Sequence, residues 1–138
     1  MPISDIMGLD VAVQNMLDEG MENVLERHKK IASATRKAIK EYGLELYLDN
    51  GYSNTVTAVK IPKEIGALKL KEHLLKKYNT VITTSLEHYS NELIRIGHMG
   101  ENAVLEKTLY ILNVIDKGLK DLGFYSDKDL VLLFNKYL

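Results

Sequence analysis

The chain has 138 residues with 18 basic and 19 acidic side chains, which gives a formal net charge of −1. This length suits one domain with a substantial core, and the balanced charge excludes the basic block that marks a general nucleic-acid or membrane surface. The absence of cysteine excludes disulfides and thiolate metal sites, and the histidines have no paired metal-ligand spacing. With no membrane-length apolar segment and no signal-peptide pattern, we expect a soluble, cytoplasmic protein without a membrane partner.

The first 43 residues carry two helical patterns separated by a glycine. Apolar residues recur at helical spacing after Ser4 and Asp5 until Gly20 interrupts them, and a longer pattern then continues to Gly43. The second pattern keeps a three-and-four rhythm for about six turns, which is typical of an amphipathic helix packed on a core. Gly43 stands where a left-handed residue commonly ends a helix.

The middle of the chain alternates strand and helix patterns. Residues 44–48 and 55–61 are β-branched or alternating segments joined by a turn-rich loop, and they predict a hairpin. A helix is predicted over 67–78, followed by short strands over 80–84 and 93–96. These segments account for about four strands, a typical sheet size.

The C-terminal third is predicted to be helical. A long helix is predicted over 101–122, where apolar residues recur until Gly123. The segment from Ser126 to Asp129 resembles a capping box, which predicts a last helix carrying Phe134. The order of elements predicts an α+β fold, in which a mostly antiparallel sheet is packed against helices.

Arg95 is the first candidate for a functional side chain. The chain contains 15 lysines but only 3 arginines, so an arginine marks a position that needs more than a positive charge. Strand alternation places it on the face opposite Ile94 and Ile96. A guanidinium beside a glycine turn suits bidentate capture of a carboxylate or phosphate. From the pattern alone, an ion pair with an acidic side chain such as Glu92 is the simpler explanation.

The segment Gly97–Gly100 allows a different interpretation. It has the G-x-x-G form by which one class of RNA-binding domain clamps a nucleotide backbone. It has no lysine or arginine between the glycines and follows a strand rather than a helix, which favours a simple turn. His98 lies within this segment and near Arg95 in sequence, so it is a candidate for the same pocket.

Five blocks of the sequence resemble class V aminotransferases in order and spacing. The blocks are Pro2–Ser4, Glu19–His28, Gly43–Leu46, Asn54–Val59 and Ile94–Ala103. The similarity is to the serine–pyruvate and alanine–glyoxylate branch, and it covers residues 2–122. It implies a C-terminal small domain over 1–123, followed by an added helical extension over 124–138.

The resemblance also implies a role for Arg95, because the arginine of this block binds the substrate's α-carboxylate in the family. The implied reaction is amino-group transfer between an amino acid such as serine or alanine and a 2-oxo acid such as pyruvate or glyoxylate. Pyridoxal phosphate is the implied cofactor of the complete, dimeric enzyme. The family's Schiff-base lysine lies in a large domain, so we expect neither a catalytic residue nor a bound cofactor in this chain alone.

Two positions depart from the family pattern. Met1 stands where the family has a threonine that reaches the cofactor phosphate of the neighbouring subunit. Residues 81–86 replace a glycine-rich turn near the substrate pocket, which implies an altered pocket rim.

Three hypotheses follow for the function. The first is a small-domain fragment, inactive alone, that requires the missing large domain or a homologous subunit. The second is a stand-alone module that binds an amino or keto acid at Arg95, or contacts another subunit, without catalysis. The third is an RNA-binding module using Gly97–Gly100, although the charge balance favours no nucleic-acid partner. The first helix has more apolar positions than one buried stripe requires, so we expect a homo-oligomer or a helix folded back over the sheet.

Overall fold

The computed structural model describes residues 2–138, so the interpretation of Met1 lies outside the described residues. The helices are α1 Ile3–Glu19, α2 Met21–Tyr42, α3 Ala67–Tyr78, α4 Leu105–Asp121 and α5 Leu130–Tyr137. The strands are β1 Glu45–Leu46, β2 Val56–Lys60, β3 Thr83–Thr84 and β4 Leu93–Gly97. Within the described range, no helix is long and apolar enough to span a membrane.

The strands form one antiparallel sheet in the order β1-β2-β4-β3, which confirms the predicted α+β class. β2 and β4 form its centre and pair from Val56 opposite Gly97 to Lys60 opposite Leu93. The outer strands are much shorter, with two residues each. The sheet therefore has a long central ladder and incomplete edges.

The hydrophobic core lies between one face of the sheet and the helices. Ile94 and Ile96 of β4 are buried, whereas Arg95 is exposed, which confirms the predicted alternation. α5 is part of this core, since Leu130 and Phe134 are fully buried and the helix packs against α2. The division of the chain at residue 123 stays a prediction.

The helix predicted over 101–122 begins only at Leu105. The preceding residues form a 3-10 turn, and Gly100 opens it with a φ of 58°. The guanidinium of Arg27 donates to the carbonyl oxygens of Gly100 and Ala103 at 3.1 and 2.7 Å. Arg27 of α2 thus occupies carbonyl oxygens that would accept helical hydrogen bonds if α4 began earlier. Local periodicity does not reveal this long-range interaction.

The capping-box pattern predicts Ser126 as the N-cap of α5, but the N-cap is Asp129. Asp129 Oδ1 accepts the N–H of Leu132 at 2.9 Å. Ser126 Oγ instead accepts the N–H of Lys128 at 3.3 Å and donates to the carbonyl oxygen of Tyr42 at 3.4 Å. Ser126 thus binds the end of α2 instead of capping a helix, and α5 starts one turn later than predicted.

α1 projects from the domain without a buried residue. Its large apolar side chains are between 39% and 65% exposed: Ile3, Ile6, Met7, Leu9, Val11, Val13, Met16 and Leu17. The helix is not folded back over the sheet, contrary to one of the two expectations for it. Self-association through α1 stays a prediction.

Candidate functional site

The C-terminal end of β4, close to Arg95, has no partner strand on the β3 side. β3 pairs with β4 only at Thr83 and Thr84, and the chain before Thr83 leaves the sheet. The N–H of His98 donates to Thr55 on the β2 side at 2.9 Å, so strand alternation directs the backbone N–H of Gly97 toward the opposite edge. Within residues 2–138 this N–H has no backbone partner there.

Side-chain contacts hold the segment before β3 away from β4. Thr80 is buried, and its hydroxyl donates to the carbonyl oxygen of Tyr78 at 2.9 Å and pairs with the hydroxyl of Tyr110 on α4 at 2.8 Å. Ile82 is also buried and draws the backbone toward the core. The separation leaves a groove of about 410 Å³ between this segment, the end of β4 and α4.

Arg95 lies in this groove with most of its donors free. Its Nε donates to the carbonyl oxygen of Thr84 at 3.2 Å, and it forms no ion pair with any residue of 2–138. The alternative pairing with Glu92 does not form, because Glu92 precedes β4 and borders a separate cleft together with Lys60 and Lys63. The two terminal amino groups of the guanidinium are therefore available to a ligand.

The charge of the groove is positive. Arg95 and Lys107 both line it, together with the polar residues Thr83 and Asn102, and none of its described lining residues is Asp or Glu. His98 also lines the groove, as its position in the sequence predicted. An acid-free groove with two cations attracts anions.

His98 is a buried structural residue rather than an exposed ligand donor. It is 1% exposed, and its Nδ1 donates to the carbonyl oxygen of Asn54 at 2.9 Å. Its Nε2 lies 2.8 Å from the hydroxyl of Thr57, which donates to it in the neutral ring. Burial lowers the pKa of His98, with an opposing contribution from the Asn54 hydrogen bond. The neutral ring fixes the turn that follows Gly97.

The far end of that turn is fastened by α2. Arg27 binds both carboxylate oxygens of Glu19 at 2.6 and 2.8 Å and also donates to the carbonyl oxygen of Ala103. The Arg27 hydrogen bond lowers the pKa of Glu19. His28 Nε2 accepts the N–H of Gly100 at 3.0 Å. The segment Gly97–Gly100 is thus a clamped connection between β4 and a 3-10 turn, which supports the turn interpretation of its G-x-x-G pattern.

Several of these residues were not singled out by the sequence patterns. Lys107 looked like one more surface lysine, because only the tertiary fold brings α4 beside β4. The sequence patterns singled out neither of the other two arginines. Arg27 makes the four contacts described above, and Arg36 is buried, with Nη2 2.9 Å from Asn54 Oδ1 and its guanidinium 3.9 Å above the Tyr52 ring. Each arginine occupies a place where several donors are needed.

The residues around Arg95 do not fit pyridoxal phosphate. Enzymes that hold this cofactor combine a Schiff-base lysine with a partner for the pyridinium nitrogen. The described lining of the groove has no carboxylate, and its one lysine, Lys107, is an exposed residue of α4. No cofactor-dependent step is therefore assigned to these side chains.

The fold and the groove define a small α+β domain with an exposed arginine in an acid-free groove. No protein-family model matches the chain. The chain is 38% identical over 117 residues to an uncharacterized aminotransferase of Methanocaldococcus jannaschii, covering 84% of this chain and 30% of that protein. It is 32% identical over 121 residues to the serine–glyoxylate aminotransferase of Arabidopsis thaliana, covering 86% of this chain and 30% of that protein.

Solved structures agree with the sequence matches. Pyridoxamine–pyruvate aminotransferase from Mesorhizobium loti superimposes with a TM-score of 0.91 at 27% identity, covering 99% of this chain and 36% of that one. Ureidoglycine–glyoxylate aminotransferase from Bacillus subtilis gives a TM-score of 0.83 at 27% identity, covering 91% and 33%. The chain therefore belongs to the class V aminotransferase family. It spans 30% of the length of the two curated relatives described above.

Proposed function

We propose that the chain acts as the small domain of a pyridoxal-phosphate-dependent aminotransferase and that Arg95 binds the carboxylate of the amino or keto acid. The observation that carries this proposal is the free guanidinium of Arg95 in an acid-free groove, on a chain of this family. A charge-assisted hydrogen bond of this kind contributes about 1.5–3 kcal/mol. Two parallel bonds also fix the orientation of the substrate's α-carbon.

In the complete enzyme the cofactor supplies the amino-transfer chemistry, whereas the residues of this chain bind and orient the substrate. The proposed substrates are an amino acid such as serine or alanine and a 2-oxo acid such as pyruvate or glyoxylate. Alone, the chain is expected neither to transaminate nor to bind pyridoxal phosphate specifically. A stoichiometric, borohydride-trappable adduct on one defined lysine, together with turnover, would contradict this expectation.

The proposed partner is a large domain or a homologous subunit, and the complete protein is proposed to be a cytoplasmic homo-oligomer. The exposed apolar side chains of α1 support a partner, because monomeric proteins rarely leave so large an apolar surface in water. The absence of cysteine fits a reducing compartment.

Binding to the chain itself tests the role of Arg95. Pyruvate and L-alanine are titrated into the ¹⁵N-labelled chain, and the Arg95 Nε–H and Gly97 amide signals are followed by NMR. We expect both ligands to shift these signals. We expect Arg95→Gln to weaken binding at least about tenfold, because the pair of guanidinium donors is lost. Lys117→Gln is the matched control, since this exposed lysine of α4 does not line the groove. Unchanged affinity in Arg95→Gln would refute the carboxylate assignment.

A further inference from the structure

A second free cation lies in the groove of Arg95. Lys107 belongs to the first turns of α4 and lines the same groove. It is exposed, and it forms no ion pair with any of residues 2–138. The two positive side chains thus face one space without an acidic partner in it.

The neighbouring acids do not line this groove. Lys107 also borders a separate cleft beside α1, and that cleft contains Glu19 and Glu101. Glu19 is bound through both carboxylate oxygens by Arg27. Glu101 borders that cleft and is not among the residues that line the groove. A ligand with two negative groups would therefore meet two unpaired cations in the groove.

The two cations suit different ends of such a ligand. The planar fork of Arg95, fixed by its Nε bond to Thr84, matches one carboxylate bidentately. Lys107 has a flexible stem and a point charge, so it can follow a distal acidic group over a range of chain lengths. The groove volume of about 410 Å³ is within the range of small-molecule sites.

We infer that one of the two substrates that bind in the groove is a dicarboxylic amino or keto acid, with its α-carboxylate on Arg95 and its distal carboxylate on Lys107, and that the monocarboxylic acids named above are the other substrate. This inference rests on the proposed function of Arg95 and names the substrate class of the same site. The amide of Asn102, which also lines the groove, provides a further donor for the diacid.

Succinate and butyrate form a matched pair of probes. Both have four carbons, and they differ in whether the distal end is a carboxylate or a methyl group. In NMR titrations of the full chain at constant ionic strength, we expect succinate to bind at least about tenfold more tightly than butyrate. Lys107→Gln should remove this preference and leave butyrate affinity unchanged. Lys117→Gln, with the same charge change on the same helix, should retain it.

The contrary results separate the two proposals. Equal affinity for succinate and butyrate, both dependent on Arg95, would overturn the diacid site and leave the proposed function intact. Loss of the preference in Lys117→Gln as well would also overturn it, since a general charge effect would then explain the binding. Inorganic phosphate binding as tightly as succinate, with the same dependence on Lys107, would replace the diacid by an unselective anion site. Binding independent of Arg95 would refute the proposed function itself.

Discussion

Arg95 and His98 are three residues apart in sequence but have opposite environments. The Arg95 side chain is exposed and keeps two amino groups free, whereas His98 is buried with both ring nitrogens bonded. The difference lies in their partners, because the His98 ring bonds to Thr57 and Asn54, whereas Arg95 has only the carbonyl oxygen of Thr84. Arg95 therefore presents free donors to the groove, and His98 holds the backbone of the turn that follows β4.

The buried ring of His98 predicts a loss of stability in acid. Its pKa in the folded chain lies below the ordinary value of 6.5, because burial disfavours the charged ring. As the pH falls below about 6.5, the unfolded chain takes up a proton that the folded chain resists, so stability is lost as the pH approaches the folded-state pKa. Urea unfolding at about pH 7.5 and about pH 5 should show a decrease in the free energy of unfolding that is smaller in His98→Gln.

An equal pH dependence in wild type and His98→Gln would contradict this explanation. If the variant does not fold, the wild-type ring protons provide the same test by NMR. Their titration midpoint should lie below 6.5, the ordinary value for a histidine. A midpoint above it would show that burial does not control the ring.

At the scale of elements, local patterns fixed the helices better than the edges of the sheet. α3 spans the predicted residues 67–78, because its apolar stripe is regular and Asn79 follows with a left-handed φ of 50°. β3 was predicted over 80–84 but pairs only at its last two residues. The cause is tertiary, since the Thr80 hydroxyl binds Tyr110 of α4, which lies 30 residues later in the chain.

The groove was unpredictable for the same reason. The sequence singled out Arg95 and its face of the strand, but the groove exists only because the segment before β3 leaves the sheet. Lys107 joins it through the packing of α4. Neither the departure of the segment before β3 nor the packing of α4 can be predicted from the residue pattern of a single helix or strand.

Two helical glycines should respond oppositely to alanine. A Cβ on Gly118 of α4 would overlap the Leu74 side chain of α3, so Gly118→Ala should destabilise the chain by about 1–3 kcal/mol. Gly8 of α1 has open space around it, so Gly8→Ala should lower the free energy of the helical state of α1 by up to about 1 kcal/mol and raise its helicity. Urea unfolding measures the first effect, and far-ultraviolet circular dichroism measures the second. A stabilised Gly118→Ala variant would contradict the close packing of α3 and α4.

At the scale of the whole molecule, α1 is the part that most needs a partner. It carries four acidic residues, Asp5, Asp10, Asp18 and Glu19, and no basic residue, beside its exposed apolar side chains. Pairing of two α1 helices buries apolar surface but brings like charges together. Salt screens this repulsion, so self-association should strengthen as the ionic strength rises.

Sedimentation equilibrium over a concentration series tests this association. We expect the average mass of the wild type to rise with protein concentration, and more steeply at high salt. The double variant Leu9→Glu, Val13→Glu should stay monomeric, because it places charge on the apolar surface of α1. A monomeric wild type whose α1 exchanges its amide hydrogens freely would contradict self-association.

The kinetics of a chimeric enzyme test the role of Arg95 most directly. In the chimera, residues 2–138 replace the matching third of the Mesorhizobium loti pyridoxamine–pyruvate aminotransferase, on which 99% of this chain superimposes. In an active chimera, Arg95→Lys should lower kcat/KM by about 10- to 100-fold, because the charge survives but the bidentate geometry is lost. Arg95→Ala should lower it further. An active chimera whose kinetics are unchanged by Arg95→Ala would contradict the proposal that this chain binds the substrate carboxylate.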